Sequence, residues 1–95
     1  MAVLFPAHHI MTDKPHVIIY TRPGCHLCEE AKQEIFAAGC HDEFTFEEIN
    51  IDTDSSLARL HGLDVPVVTV NGIVTFKHRL TAVEFKRQLR NRLPA

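Results

Sequence analysis

The motif CHLC at residues 25–28 lies where a predicted strand meets a predicted helix, and it constrains the fold more than any other feature of the sequence. The apolar, β-branched residues 16–20 predict a buried strand, which the Pro and Gly within residues 21–24 end. Apolar residues then recur on one helical face over residues 25–38. Cysteines three apart on a helix have Cα atoms roughly 5 to 5.5 Å apart, a distance that a disulfide spans. The pair is therefore able to form and break a disulfide without backbone movement.

The remainder of the chain predicts three further strands and two further helices. Residues 44–51, 66–70 and 73–77 are the strand candidates, and Asn71-Gly72 favours a tight hairpin turn between the last two. A short helix is predicted at residues 57–61. A longer last helix is predicted to begin at the N-cap Thr81 and to end at Pro94. The order β-α-β-α-β-β-α predicts an α/β fold. Its four-stranded sheet is mixed, with helices on both faces, because the βαβ part needs parallel strands and the hairpin adds an antiparallel pair.

Length and composition indicate one globular domain. Of the 95 residues, 45% are hydrophobic and the net charge is -2, which argues against nucleic-acid binding. No apolar run is long enough for a membrane span. We expect residues 1–15 to be a poorly ordered tail, with Met11 as a candidate start, and residues 16–95 to form the domain. With three cysteines and no recognisable signal peptide, we expect a cytoplasmic monomer.

The position of Cys25 and Cys28 at a helix start favours redox chemistry. Unpaired N–H groups there favour an anion and so the thiolate form of a cysteine. Nearby Arg22 and a charged His26 would add to this stabilisation. We expect Cys25 to be the exposed nucleophile and Cys28, one turn further on, to resolve the mixed disulfide.

Two other interpretations of the cysteine pair remain open. The pair is half of a zinc or iron–sulfur site, and Cys40 and His41 are the candidate second half, but about 18 Å of helix would separate the two halves. Alternatively, the chain is a non-catalytic adaptor that keeps only the fold. We expect no bound metal, and Cys40 to be a free thiol.

Residues 20–28 (YTRPGCHLC) and the later pair Val65-Pro66 together resemble glutaredoxin-like proteins of the thioredoxin-like superfamily, over residues 16–93. The resemblance implies a thioredoxin-like fold and a disulfide oxidoreductase. It also implies a cis peptide bond before Pro66, beside Cys25, where the N–H and C=O of Val65 contact the substrate. Arg22 matches the basic position that contacts glutathione in that family. His26 and the Val65-Pro66 loop complete the expected substrate-binding residues.

The sequence departs from the glutaredoxin pattern at two places. His26 and Leu27 stand where many glutaredoxins have Pro and Tyr, and residues 76–81 (FKHRLT) replace the Gly-Gly-x-Asp segment before the last helix. That segment's Asp normally meets the glutathione amine. The substrate is therefore expected to be a protein or glutathione disulfide, and the reductant either glutathione or a thioredoxin reductase system. No tightly bound cofactor is expected.

Overall fold

The computed structural model describes residues 14–91, which form four strands and three α-helices. In chain order these are β1 (His16–Thr21), α1 (His26–Ala37), β2 (Thr45–Asn50), α2 (Ser55–His61), β3 (Val67–Val70), β4 (Ile73–Lys77) and α3 (Ala82–Arg90). Short 3₁₀ turns precede β2 and α2. The element order predicted from the sequence is confirmed. None of the helices within residues 14–91 is long and apolar enough to cross a membrane.

The four strands form one mixed sheet in the order β2-β1-β3-β4. β1 runs parallel to β2 and antiparallel to β3, and β3 runs antiparallel to β4. Asn71 and Gly72 join the last two strands and both have positive φ, at 52° and 81°, as a type I′ turn requires. The antiparallel pairing of Tyr20 with Val67 places the end of β1 and the start of β3 at the same end of the sheet.

Helices cover both faces of the sheet, which explains why every residue of β3 is buried. α1 and α3 pack on one face, where Ile35 and Phe85 join the core formed by alternate residues of β1 and β3. On the other face, the ring of His61 in α2 packs against Tyr20, with centroids 4.6 Å apart. The predicted α/β fold with a mixed sheet between helices is confirmed.

The ends of several elements differ from the sequence prediction by one or two residues. α2 begins at Ser55 because the side chain of Asp54 accepts hydrogen bonds from the N–H groups of Ser56 and Leu57. The predicted N-terminal tail lies outside the described residues except for Lys14 and Pro15. Pro15 is buried, and its C=O accepts a hydrogen bond from the Thr45 N–H. The predicted end of the last helix at Pro94 also lies outside the described residues.

Candidate active site

The turn between β1 and α1 presents Cys25 as the N-cap of the helix. Its N–H donates to the Arg22 C=O at 3.2 Å, and Gly24 takes a positive φ of 78° that glycine adopts without strain. The Cys25 Sγ accepts a hydrogen bond from the Cys28 N–H at 3.2 Å. This sulfur therefore occupies the capping position, where unpaired N–H groups favour negative charge.

Cys25 and Cys28 are joined in a disulfide whose Cα atoms lie 5.2 Å apart, within the distance expected from the sequence. The two residues differ in exposure. Cys25 is half-buried, whereas Cys28 is only 1% exposed. A disulfide or thiol arriving from solvent therefore reaches the Cys25 sulfur first.

The Val65–Pro66 peptide bond is cis. This loop immediately precedes β3, so it lies at the end of the sheet where β1 leads into Cys25. Pro66 is buried, and its C=O accepts a hydrogen bond from the His78 N–H at 2.8 Å. Within residues 14–91, neither the N–H nor the C=O of Val65 has a hydrogen-bond partner. Both groups are therefore available to a bound chain.

Arg22, a predicted glutathione contact, is bonded within the protein. Its Nε donates to Asp52 Oδ1 at 3.0 Å, and its Nη1 donates to the Gly62 C=O at 3.2 Å. A Cβ at residue 62 would clash with the Ala58 C=O oxygen, so glycine lets the backbone approach closely there. Arg22 thus ties the end of β1 to the end of α2.

His26, the other predicted flanking residue, projects into solvent with its side chain 87% exposed. Its Nε2 lies 2.9 Å from Glu30 Oε2, one helical turn further along α1. The carboxylate orients the imidazole at the rim of the site, next to the half-buried Cys25.

A polar network behind Cys28 was not predicted from the sequence. Lys32, one turn after Cys28 on α1, lies 2.9 Å from Glu29 and 3.0 Å from Glu48 of β2. Glu48 also accepts a hydrogen bond from Thr21 Oγ1 at 2.9 Å. The hydrogen bonds that Lys32 donates, first to Glu29 and second to Glu48, raise the pKa of Lys32 above its usual value. The spacing of Lys32 from Cys28 was visible in the sequence, but its contact with β2 depends on tertiary packing.

A second unpredicted feature is a cavity of about 710 Å³ between α1, the segment after β4 and the start of α3. It begins at Leu27, between the two cysteines, and extends to Glu34 and Thr81. Glu34 Oε1 accepts a hydrogen bond from the Ala82 N–H at 2.8 Å. These two residues are 48 positions apart, so no local pattern connects them.

Of the two residues considered as a second metal-ligand pair, Cys40 is buried, whereas the side chain of His41 is exposed. Cys40 is buried in the core of the α1 and α3 face, and this burial raises the pKa of its thiol. Among residues 14–91, no group of three or more His, Cys, Asp or Glu residues is arranged to hold a metal ion.

Comparison with known proteins gives the family of this chain. Residues 16–90 match the family model described as the glutaredoxin-like domain (DUF836). The chain belongs to this glutaredoxin-like family. A glutaredoxin-like protein of Dictyostelium discoideum is 38% identical over 71 residues, which are 68% of this chain and 66% of that protein. The chain thus spans slightly less than two thirds of that relative.

Solved structures agree with the fold. A structural-genomics target protein from X. campestris is 27% identical, with a TM-score of 0.69 over 79% of this chain and 96% of that one. Chloroplastic thioredoxin z, at 12% identity, has a TM-score of 0.68 over 93% of this chain and 86% of its own. This second likeness shows the fold alone. The glutaredoxin-like protein therefore has a thioredoxin-like fold and a Cys25–Cys28 pair consistent with redox function.

Proposed function

We propose that this glutaredoxin-like protein is a thiol–disulfide oxidoreductase in which Cys25 attacks a disulfide and Cys28 resolves the mixed disulfide. The observation that carries the proposal is the asymmetry of the pair. One sulfur is half-buried at the first turn of α1, and its bonded partner is only 1% exposed behind it. The reduced Cys25 would be the group that meets substrate, and the Cys28 thiol would meet only Cys25.

The reaction consists of two thiol–disulfide exchanges. In the first, the Cys25 thiolate attacks one substrate sulfur, which breaks the substrate S–S bond, releases one thiolate and forms a mixed disulfide. In the second, the Cys28 thiolate attacks the Cys25 sulfur, releases the second substrate thiolate and forms the Cys25–Cys28 disulfide. The substrate gains two electrons, the protein loses two, and the released thiolates take protons from solvent.

The start of α1 favours the first exchange. The Cys28 N–H that donates to the Cys25 sulfur would also stabilise a thiolate there, because a hydrogen bond to a charged acceptor is stronger than one to a neutral acceptor. The helix start contributes in the same direction. His26, held beside Glu30, is a further candidate for stabilising this charge.

The unpartnered backbone groups of Val65 would hold the substrate chain. An N–H and a C=O side by side offer the same hydrogen bonds as a strand edge, so an extended polypeptide flanking a disulfide would pair with them. We also propose Arg22 as a substrate-binding residue, although its Nε and Nη1 already donate hydrogen bonds to Asp52 and to the Gly62 C=O. The substrate class proposed is therefore a protein or peptide disulfide, with glutathione disulfide as the smaller alternative.

The two electrons must be returned by a thiol reductant. We propose glutathione or a thioredoxin reductase system for this step, with the protein acting as a monomer in the reducing cytoplasm and without a tightly bound cofactor. The test is reduction of insulin and of hydroxyethyl disulfide, with glutathione plus glutathione reductase in one assay and thioredoxin reductase in the other.

Single cysteine variants decide the roles within the pair. Cys25→Ser should abolish disulfide reduction, whereas Cys28→Ser should slow it and accumulate a mixed disulfide visible by mass spectrometry. Cys40→Ala is the matched control, because Cys40 lies in the core away from the motif, and it should keep wild-type activity. Equal activity of wild type and both active-pair variants would refute the proposal.

A further inference from the structure

The cavity beside the cysteine pair has an apolar floor and a charged rim. Its apolar lining comes from Leu27, Ala31, Phe76 and Leu80. Charged side chains also line it, namely the carboxylates of Glu30, Glu34 and Glu84 and the guanidinium of Arg79. Leu27, which stands between Cys25 and Cys28 in the chain, lines the cavity, so a group attached to a substrate sulfur would lie near this space. The cavity would therefore select among disulfides by the groups they carry.

Glu34, a lining residue of this cavity, occupies one of the N–H groups at the start of α3. The helix begins at Ala82, and the Ala82 N–H donates to Glu34 Oε1 at 2.8 Å in a partly buried contact. Thr81 Oγ1 accepts the Glu84 N–H at 3.2 Å, so a second N–H of the first turn is also taken. The first N–H groups of a helix attract a carboxylate. Here the protein supplies that carboxylate from α1.

The other charges of the cavity already have protein partners, with one exception. Glu30 lies beside His26, and Glu84 contacts Arg87 and Gln88. Within residues 14–91 the Arg79 side chain forms no hydrogen bond or ion pair, and it is exposed at the rim. An entering carboxylate would find one cation at the entrance, but at the end of α3 it would meet the like charge of Glu34.

We propose that Glu34 is a specificity residue that excludes carboxylate-bearing groups from the cavity. The site then favours disulfides that carry no free carboxylate near the sulfur, such as a cystine inside a longer polypeptide, over small disulfides with free carboxylates, such as glutathione disulfide. This inference rests on the proposed function of the Cys25–Cys28 pair. Glu34 takes no part in bond breaking, because it acts by occupying the Ala82 N–H.

The kinetic test compares two substrates with the same scissile bond but different charge. Single-turnover rates of the reduced protein are measured with neutral hydroxyethyl disulfide and with anionic glutathione disulfide. Glu34→Ala should raise the rate ratio of glutathione disulfide to hydroxyethyl disulfide about five- to tenfold, because it frees the helix end and removes the charge. Glu34→Gln should raise it about two- to threefold, because the amide oxygen still accepts from Ala82.

Glu84→Gln is the matched control, since it removes the same charge from the same cavity without touching the Ala82 N–H. Its rate ratio should rise by clearly less than that of either Glu34 variant, because the contacts of Glu84 with Arg87 and Gln88 do not involve the Ala82 N–H. An unchanged ratio in both Glu34 variants overturns the proposal, as does an equal rise in Glu84→Gln. If Glu34→Ala fails to fold, Glu34→Gln decides the outcome.

A binding measurement separates this inference from the redox proposal. S-methylglutathione carries the carboxylates of glutathione but no reactive sulfur, so its binding needs no exchange chemistry. Titration followed by amide NMR should shift the Ala82 signal in Glu34→Ala and leave it unmoved in wild type. An unmoved Ala82 signal in the variant overturns the role of Glu34, whether or not the protein reduces disulfides. If the Ala82 signal shifts in Glu34→Ala but neither the wild type nor any variant reduces disulfides, only the oxidoreductase proposal is refuted.

Discussion

Truncation of Phe85 should remove a large part of the stability of this domain. Phe85 is fully buried in α3, and its ring meets Phe44 and Phe76 with centroids 5.4 and 6.5 Å away. Replacing such a residue by alanine costs about 3 to 5 kcal/mol, since apolar burial is lost and a cavity remains. Small domains have about 0.05 to 0.15 kcal/mol of stability per residue. For residues 14–91 that is about 4 to 12 kcal/mol, so Phe85→Ala should lose at least about a quarter of the free energy of unfolding.

The measurement is urea unfolding of the oxidised protein, followed by circular dichroism. Val83→Ala is the matched control, because Val83 lies on the same helix and is 79% exposed, and it should change the free energy of unfolding by no more than about 0.5 kcal/mol. Phe85→Leu keeps most of the volume and should cost about 1 to 2 kcal/mol, which remains measurable if the alanine variant does not fold. A loss below about 1.5 kcal/mol in Phe85→Ala, or an equal loss in Val83→Ala, would refute this description of the core.

Two further predictions concern polar contacts at the surface. Arg22→Ala should lower the free energy of unfolding by about 1 to 2 kcal/mol through loss of two hydrogen bonds, whereas Arg59→Ala should not; equal urea midpoints for the two variants would contradict this. The hydrogen bond from Arg90 lowers the pKa of Glu43, so its stabilisation is present above the ordinary Glu pKa and is lost as pH falls through the lowered value. Wild type should therefore lose more stability than Glu43→Gln between about pH 5 and pH 3 in urea titrations, and parallel pH profiles would contradict this.

Local sequence patterns were sufficient to predict the order of the elements and the position of the cysteine pair. A few neighbouring residues are enough to predict the positions of the CHLC motif, the Asn71-Gly72 turn and the Thr81 cap. The structure has all three features at those positions. The start of α2 was placed late because the capping by Asp54 outweighs the polar character of Ser55 and Ser56.

The environment of the pair depends on contacts between distant segments, which one sequence does not specify. The side chain of Arg22 donates a hydrogen bond to Gly62, 40 positions later in the chain. The side chain of Glu34 accepts one from Ala82, 48 positions later. His78 adopts a positive φ of 70° although it is not glycine. Its N–H is held by the Pro66 C=O, so tertiary bonding rather than residue preference fixes this backbone.

The difference in access between Cys25 and Cys28 is tested most directly by limited alkylation of the reduced protein. Native protein is treated with iodoacetamide at neutral pH, and labelled peptides are quantified by mass spectrometry over time. Cys25 should be labelled at least about tenfold faster than Cys28, while buried Cys40 serves as the protected internal standard. Labelling of Cys28 as fast as Cys25 would contradict the assignment of nucleophile and resolving thiol.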